Sequence, residues 1–148
     1  MNLAVGFNPP ADAVRVRGLE LCGNHGAGAR GVLVHDAAQK VVDEIVAAGG
    51  KAVVNTSDIT NYADSENAVK QAIESFGDLH VVVNNAGINR DRMFASMSEA
   101  EWDAIMAVHL KGHFCISSHA VQYWRDQSKA GKKVDARIIN TTSGAGLQ

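Results

Sequence analysis

The sequence predicts an α/β fold, a doubly wound parallel sheet, on three observations. From residue 31 onward, short apolar runs alternate with stretches of helical periodicity. The run Val81-Val82-Val83 is continuous rather than alternating, as in a strand covered by helices on both faces. Each apolar run is followed by polar residues, as expected where the carboxyl edge of a parallel sheet opens onto a ligand.

The elements follow in order. Residues 1–30 read as an irregular or remodelled segment, because Pro9-Pro10 favours an extended lead-in and Gly18, Gly23, Gly26 and Gly28 are too many for a helix interior. Residues 31–36 (GVLVHD) read as a short buried strand that opens a domain running over 31–148. Ala38, Val41, Val42, Ile45 and Val46 recur at helical spacing and Gly49-Gly50 supplies the stop. Residues 51–55 form the next strand, and Val69, Ala72, Ile73 and Phe76 line a second helix closed by Gly77. Residues 79–84 form a central strand. Ser98 and Glu101 have capping-box spacing and open one long helix through Trp102, Ile105, Met106, Leu110, Phe114 and Val121, ending near residues 124–128. Residues 137–141 form the last strand, leading into Ser143-Gly144-Ala145-Gly146.

With 148 residues, 46% of them hydrophobic and 20% charged, the chain has the size and composition of one soluble domain. A formal charge of -2 without a block of like charge argues against nucleic acid or an anionic membrane as partner. Lys129, Lys132 and Lys133 flank Gly131 and read as a solvated loop. Cys22 and Cys115 lack metal-ligand spacing and are expected to be reduced thiols, which points to a cytoplasmic protein. No apolar run approaches the roughly 20 residues that span a bilayer.

Polar residues stand after every expected strand: Asp36, Asp58, Asn84-Asn85-Ala86-Gly87 and Thr142-Ser143-Gly144. Singly each is an ordinary cap or turn residue; together they outline a cleft. Asn84-Asn85-Ala86-Gly87 after an apolar strand, then a long capped helix and Ile139-Asn140-Thr141-Thr142-Ser143, resembles the short-chain dehydrogenase/reductase family over roughly residues 32–148.

That resemblance implies an incomplete Rossmann-type fold and hydride transfer between NAD or NADP and a small alcohol or ketone, with hydroxyacyl or steroid-like substrates in view. It implies that Asp58, followed by Ile59, meets the adenine ring, although a turn carboxylate is the plainer reading. Asn84, Asn85, Ala86 and Gly87 steady the sheet and let the backbone approach the cofactor. Ser143 aligns with the catalytic serine, and an N-cap is the rival reading. Asp36, at the end of the expected strand over 31–36, takes the ribose hydroxyls and favours NAD. The family often pairs through the long helix, here residues 99–127, so a homo-oligomer is expected and the helix's outward face should be unusually apolar.

The sequence departs from the family in three places. The phosphate loop Thr-Gly-x-x-x-Gly-x-Gly is lacking; Cys22-Gly23-Asn24-His25-Gly26-Ala27-Gly28 is its nearest approach. His109 stands where the common pattern has an asparagine that anchors a proton-relay water, and a ring satisfied by a nearby carbonyl is the alternative. His109, His113, Cys115 and His119 have no Asp or Glu among them to complete a metal site, so no metal is expected. Tyr-x-x-x-Lys is absent, since Glu66 and Gln127 follow Tyr62 and Tyr123 at the lysine position. The chain alone is therefore expected to be weakly active or inactive, a fragment. The alternative is a non-catalytic nucleotide-binding or subunit-interaction module.

Overall fold

A computed structural model describes the backbone of residues 2–4 and 30–144 and the side chains of residues 38–144. The elements are β1 (Asn2–Ala4), α1 (Arg30–Ala47), β2 (Val53–Asn55), α2 (Tyr62–Phe76), β3 (Val81–Asn84), α3 (Glu99–Met106), α4 (His113–Lys129) and β4 (Arg137–Asn140). A π-helical turn, Ala107–Gly112, joins α3 to α4 without a break, and a 3-10 turn lies at Phe94–Ser96. Helices with a parallel strand pair form an incomplete Rossmann-type α/β fold.

The strand expected over residues 31–36 is corrected: these residues are the first turns of α1. A short apolar run does not distinguish a strand from a buried helical turn. Here it continues without glycine or proline into the periodic stretch that follows, so one helix covers both. Asp36 accordingly sits inside a helix rather than at a strand end. The glycine-bearing segment 22–28 lies outside the described residues.

α2 starts where Asn61 accepts hydrogen bonds from the Ala63 and Asp64 amides at 2.9 and 3.2 Å. It stops at Gly77, whose φ of 84° suits a residue without Cβ and whose amide donates to the Ile73 carbonyl. The capping box at α3 forms as expected. The Glu101 amide donates to Ser98 Oγ at 3.3 Å, and the Ser98 amide donates to Glu101 Oε2 at 3.0 Å. The Ser98 amide, then Arg92 and the Ser98 hydroxyl, hold the Glu101 carboxyl down at about 2. The long helix differs from expectation in its middle, where the π turn inserts, and it runs on to Lys129.

β3 and β4 pair in parallel, with Val81 opposite Arg137 and Asn84 opposite Asn140. β1 and β2 form a separate pair that runs antiparallel, with Asn2 opposite Asn55, where an all-parallel sheet was expected. Strand direction is set by which segment reaches an edge, and an apolar run does not encode it. Val81-Val82-Val83 is also less covered than its continuity suggests: Val82 is buried, Val83 half-buried and Val81 exposed.

α2 and α4 pack together, burying Ser65, Ala68 and Val69 on one and Cys115 and Ala120 on the other. A core of Ile59, Ala86 and Val108, with Ile88 and Ile116 against it, lies beyond the carboxyl end of β3. The far end of α4 is tied to the start of β3. Trp124 Nε1 donates to the Leu79 carbonyl at 2.6 Å, and Tyr123 donates to Asp78 Oδ1 at 2.8 Å.

This last bond has a pH signature. The Tyr123 hydroxyl holds the Asp78 carboxyl below its ordinary range, while burial and then Asp78 push Tyr123 up to about 12. The depressed carboxylate contributes stability above its unfolded pKa and loses it as pH falls through the folded value. The raised phenol contributes below its unfolded pKa and loses that as pH rises through about 12. In urea denaturation, Tyr123→Phe should cost about 1 kcal/mol near neutral pH. The gap from wild type should close at either extreme, and a gap constant with pH would show that the bond contributes nothing.

Candidate active site

The site begins with a buried amide. Parallel pairing brings the carboxyl ends of β3 and β4 to the same edge, with Asn84 opposite Asn140 in the last register. Asn84 is only 2% exposed. Its Nδ2 donates to Asn140 Oδ1 at 2.8 Å and to Ser117 Oγ on α4 at 2.9 Å. The Thr141 amide donates to the Asn84 carbonyl at 2.9 Å and carries the ladder one residue past the strand. Both amide hydrogens are used, so two strands and a helix are locked where the chain leaves the sheet.

Ala86 and Gly87 emerge from this edge against the π turn. A Cβ built on Gly87 would lie 3.0 Å from His109 Cε1, so glycine is what lets loop and ring approach so closely. His109 Nε2 lies 2.8 Å from the Ile88 carbonyl oxygen and 3.1 Å from the Ile88 amide nitrogen. The ring donates to the first or accepts from the second according to its tautomer. One turn on, burial depresses the pKa of His113, with the Ala86 backbone opposing and His109 adding to the effect.

The loop after β2 packs beside the same place. Ile59 belongs to the core with Ala86 and Val108. A Cβ on Gly112 would come within 2.8 Å of Ile59 Cδ1 and 3.1 Å of Cγ1. This close approach holds the loop on the π turn. Asp58 Oδ1 accepts from the Thr60 amide at 2.9 Å and from the Thr60 hydroxyl at 2.8 Å, and the Asp58 amide donates to Asp64 Oδ2 at 3.3 Å. The Asp58 carboxylate is thus a turn residue, next in the chain to the Ile59 that packs against Ala86.

A family model described as short chain dehydrogenase matches residues 21–148. The chain belongs to the short-chain dehydrogenase family. Hydroxyacyl-CoA dehydrogenase ChsB1 of Mycobacterium tuberculosis is 49% identical over 116 residues, covering 74% of this chain and 36% of the relative. Peroxisomal multifunctional enzyme type 2 of Mus musculus is 42% identical over 111 residues, covering 75% of this chain and 14% of the relative. The crystal structure of a short chain dehydrogenase from Mycobacterium avium superposes with a TM-score of 0.73 at 61% identity, covering 76% of this chain and 39% of that one. The chain spans little more than a third of the first of these relatives. The family is one of oxidoreductases, and no helix among the described residues is long and apolar enough to cross a membrane.

In this member of the family Ile59 and Ala86 share one core with Val108, Gly87 lies against the His109 ring, and Asp58 and Asn84 flank them in the chain. Asn85 is half-buried between Asn84 and Ala86, and Ser143 is exposed three residues beyond the end of β4, at the same sheet edge. Asp36 is apart from this group in the chain's organisation, inside α1. Among the described residues no group of three or more His, Cys, Asp or Glu is placed to hold a metal ion. The sequence reading missed Ser117, the Asn140 amide and Gly112. A signal for Ser117 existed, since His109, His113 and Ser117 recur at a spacing of four and share a helix face.

Two measurements test this geometry. Asn84→Ala leaves its partners short of a donor and should lower stability by about 1–3 kcal/mol in urea denaturation; an unchanged midpoint would remove Asn84 as the lock. Cys115 is fully buried and its thiol is pushed up, chiefly by burial. Peptide mapping after iodoacetamide should find it unmodified in the folded protein and modified in urea.

Proposed function

We propose that this chain forms the cofactor-side part of a dehydrogenase that moves hydride between NAD or NADP and the hydroxyl or carbonyl carbon of a small substrate, with hydroxyacyl compounds as the favoured class. The observation that carries the reading is the packing of the Asp58-Ile59 loop, the Ala86-Gly87 loop and the His109 turn onto one core at the carboxyl edge of a parallel pair. Open parallel sheets bind ligands at such an edge. The names of relatives, hydroxyacyl-CoA dehydrogenase and hydratase-dehydrogenase-epimerase among them, support the substrate class.

The residues present fit the adenosine half of a dinucleotide. Asp58 offers an anionic acceptor suited to the adenine amino group, and Ala86 and Gly87 give a floor with almost no side chain. The nicotinamide, when bound, supplies or accepts the hydride. Ser143 holds the substrate oxygen through its hydroxyl, and Asn84 and Asn85 steady the sheet edge beneath. His109 orients the loop through Ile88. Proton transfer does not fall to Tyr62 or Tyr123. The Tyr62 hydroxyl lies 3.1 Å from Ser118 Oγ, and Tyr123 is engaged by Asp78 and pushed up to about 12, the wrong direction for acid–base work near neutrality. The strand-end argument for Asp36 lapses with the strand, so the choice between NAD and NADP passes to experiment.

A second copy of the chain is the partner we favour for the long helix. Trp102, Leu110, Phe114 and Val121 are 50%, 62%, 61% and 48% exposed, more apolar surface than a lone helix face needs. The buried free thiol of Cys115 suits a reducing compartment such as the cytoplasm, although relatives with peroxisomal names exist.

Fluorescence titration with NADH and with NADPH tests the reading. Saturable binding is expected, weakened about tenfold by Asp58→Ala, the loss of one hydrogen bond to a charged group. A folded protein that binds neither nucleotide would sink it.

A further inference from the structure

We propose that Asn55 is a positioning residue for the Asp58-Ile59 loop: its buried amide ties the turn after β2 to two successive turns of α2 and so sets where Asp58 and Ile59 stand. The inference rests on the dinucleotide reading above and extends it to a residue which that reading does not use.

Asn55 ends β2 and is only 4% exposed. An apolar side chain fills a buried place at less cost than an amide, which must be satisfied wherever it is buried. The Asn55 amide is satisfied on both of its atoms. Nδ2 donates to Gln71 Oε1 at 2.6 Å and to Asn67 Oδ1 at 3.2 Å, one helical turn apart on α2. Oδ1 accepts from the Ser57 amide at 2.9 Å, an Asx turn that bends the chain out of the strand. Gln71 Nε2 also donates to the Val54 carbonyl at 3.1 Å, and Ser57 Oγ donates to Asn67 Oδ1 at 3.3 Å. Strand end, turn and helix are thereby closed into one network.

The residues that follow this network are those argued to face the adenine ring. The loop's exit is held by the first turn of α2, where the Asp58 amide donates to Asp64 Oδ2 at 3.3 Å and Ser65 Oγ donates to the Ile59 carbonyl at 3.1 Å. Its entry is held through Asn55. One helix thus grips the loop at both ends, with Asp58 and Ile59 between, and Ile59 carries the placement into the core it shares with Ala86 and Val108. Without the Asn55 amide, the Ser57 amide loses its acceptor and Gln71 and Asn67 lose a donor, while the exit bonds stay. The loop should then swing at its entry without α2 leaving its seat.

The test measures AMP and NADH affinity by calorimetric titration, with amide hydrogen exchange followed by NMR, on wild type, Asn55→Leu, Asn55→Asp and Gln71→Met. Asn55→Leu keeps the volume but neither donor nor acceptor; it should bind AMP and NADH about tenfold more weakly, by the same factor for both. Asn55→Asp keeps the acceptor for Ser57, and Gln71 and Asn67 can turn their amides to donate to it, so affinity should return to within about twofold of wild type. Gln71→Met removes the shortest bond to Asn55 and should weaken AMP about threefold; it carries the test if Asn55→Leu does not fold. A lower urea midpoint with wild-type AMP affinity would make the role merely structural and overturn the proposal, as would an Asn55→Asp protein that binds no better than Asn55→Leu. If wild type binds neither nucleotide, the dinucleotide reading fails by itself and hydrogen exchange decides for Asn55. Faster exchange in Asn55→Leu at Thr60, whose amide Asp58 accepts, upholds the positioning, and unchanged exchange there refutes it.

Discussion

The described fold depends on one buried amide. Asn84 spends both of its N–H donors at the carboxyl end of β3, on Asn140 of β4 and Ser117 of α4. A polar group so buried is tolerated because it is satisfied, and once satisfied it is directional in a way that apolar contacts are not. It fixes the register of the parallel pair and the seat of the helix with the same atoms. The loop that leaves the strand at Asn85 therefore starts from a defined place, and the residues argued to face a cofactor inherit that placement.

The π turn does the second part of the positioning. An α-helix running uninterrupted from α3 into α4 would present a different face at each residue beyond the insertion point. The wider turn at Ala107–Gly112 puts His109 on the Gly87-Ile88 backbone and Gly112 on Ile59 together. Such turns are frequent at functional sites because they redirect side chains without ending the helix. Here the turn joins two loops that are far apart in sequence, and the small core of Ile59, Ala86 and Val108 is what they share.

Much of this architecture was legible in advance. The caps at Ser98 and Gly77, the helices over Tyr62–Phe76 and Glu99–Lys129 apart from the inserted turn, and the strands ending at Asn55, Asn84 and Asn140 follow from local chemistry that a short window contains. Residues 31–36 were misread because Val-Leu-Val satisfies a strand and a helical turn equally, and the deciding factor was the uninterrupted periodicity beyond it. The candidate site was legible to the extent that Asn84, Ala86, Gly87, Asp58 and His109 carry motif spacing. Ser117 and Gly112 were not, since a serine and a glycine in a helix announce nothing until their neighbours are known.

By itself the sequence determined the class of fold, the order of most elements, the family and the residue types at the sheet edge, because periodicity, capping and motif spacing are properties of neighbouring residues. Only the tertiary structure decided the antiparallel direction of β1, the partners of the Asn84 amide, the close approach of Gly112 to Ile59 and the engagement of His109 with the loop. Each of these joins segments separated along the chain. Such contacts are chosen by which surfaces meet and which donors are left to satisfy, and no local pattern records that choice.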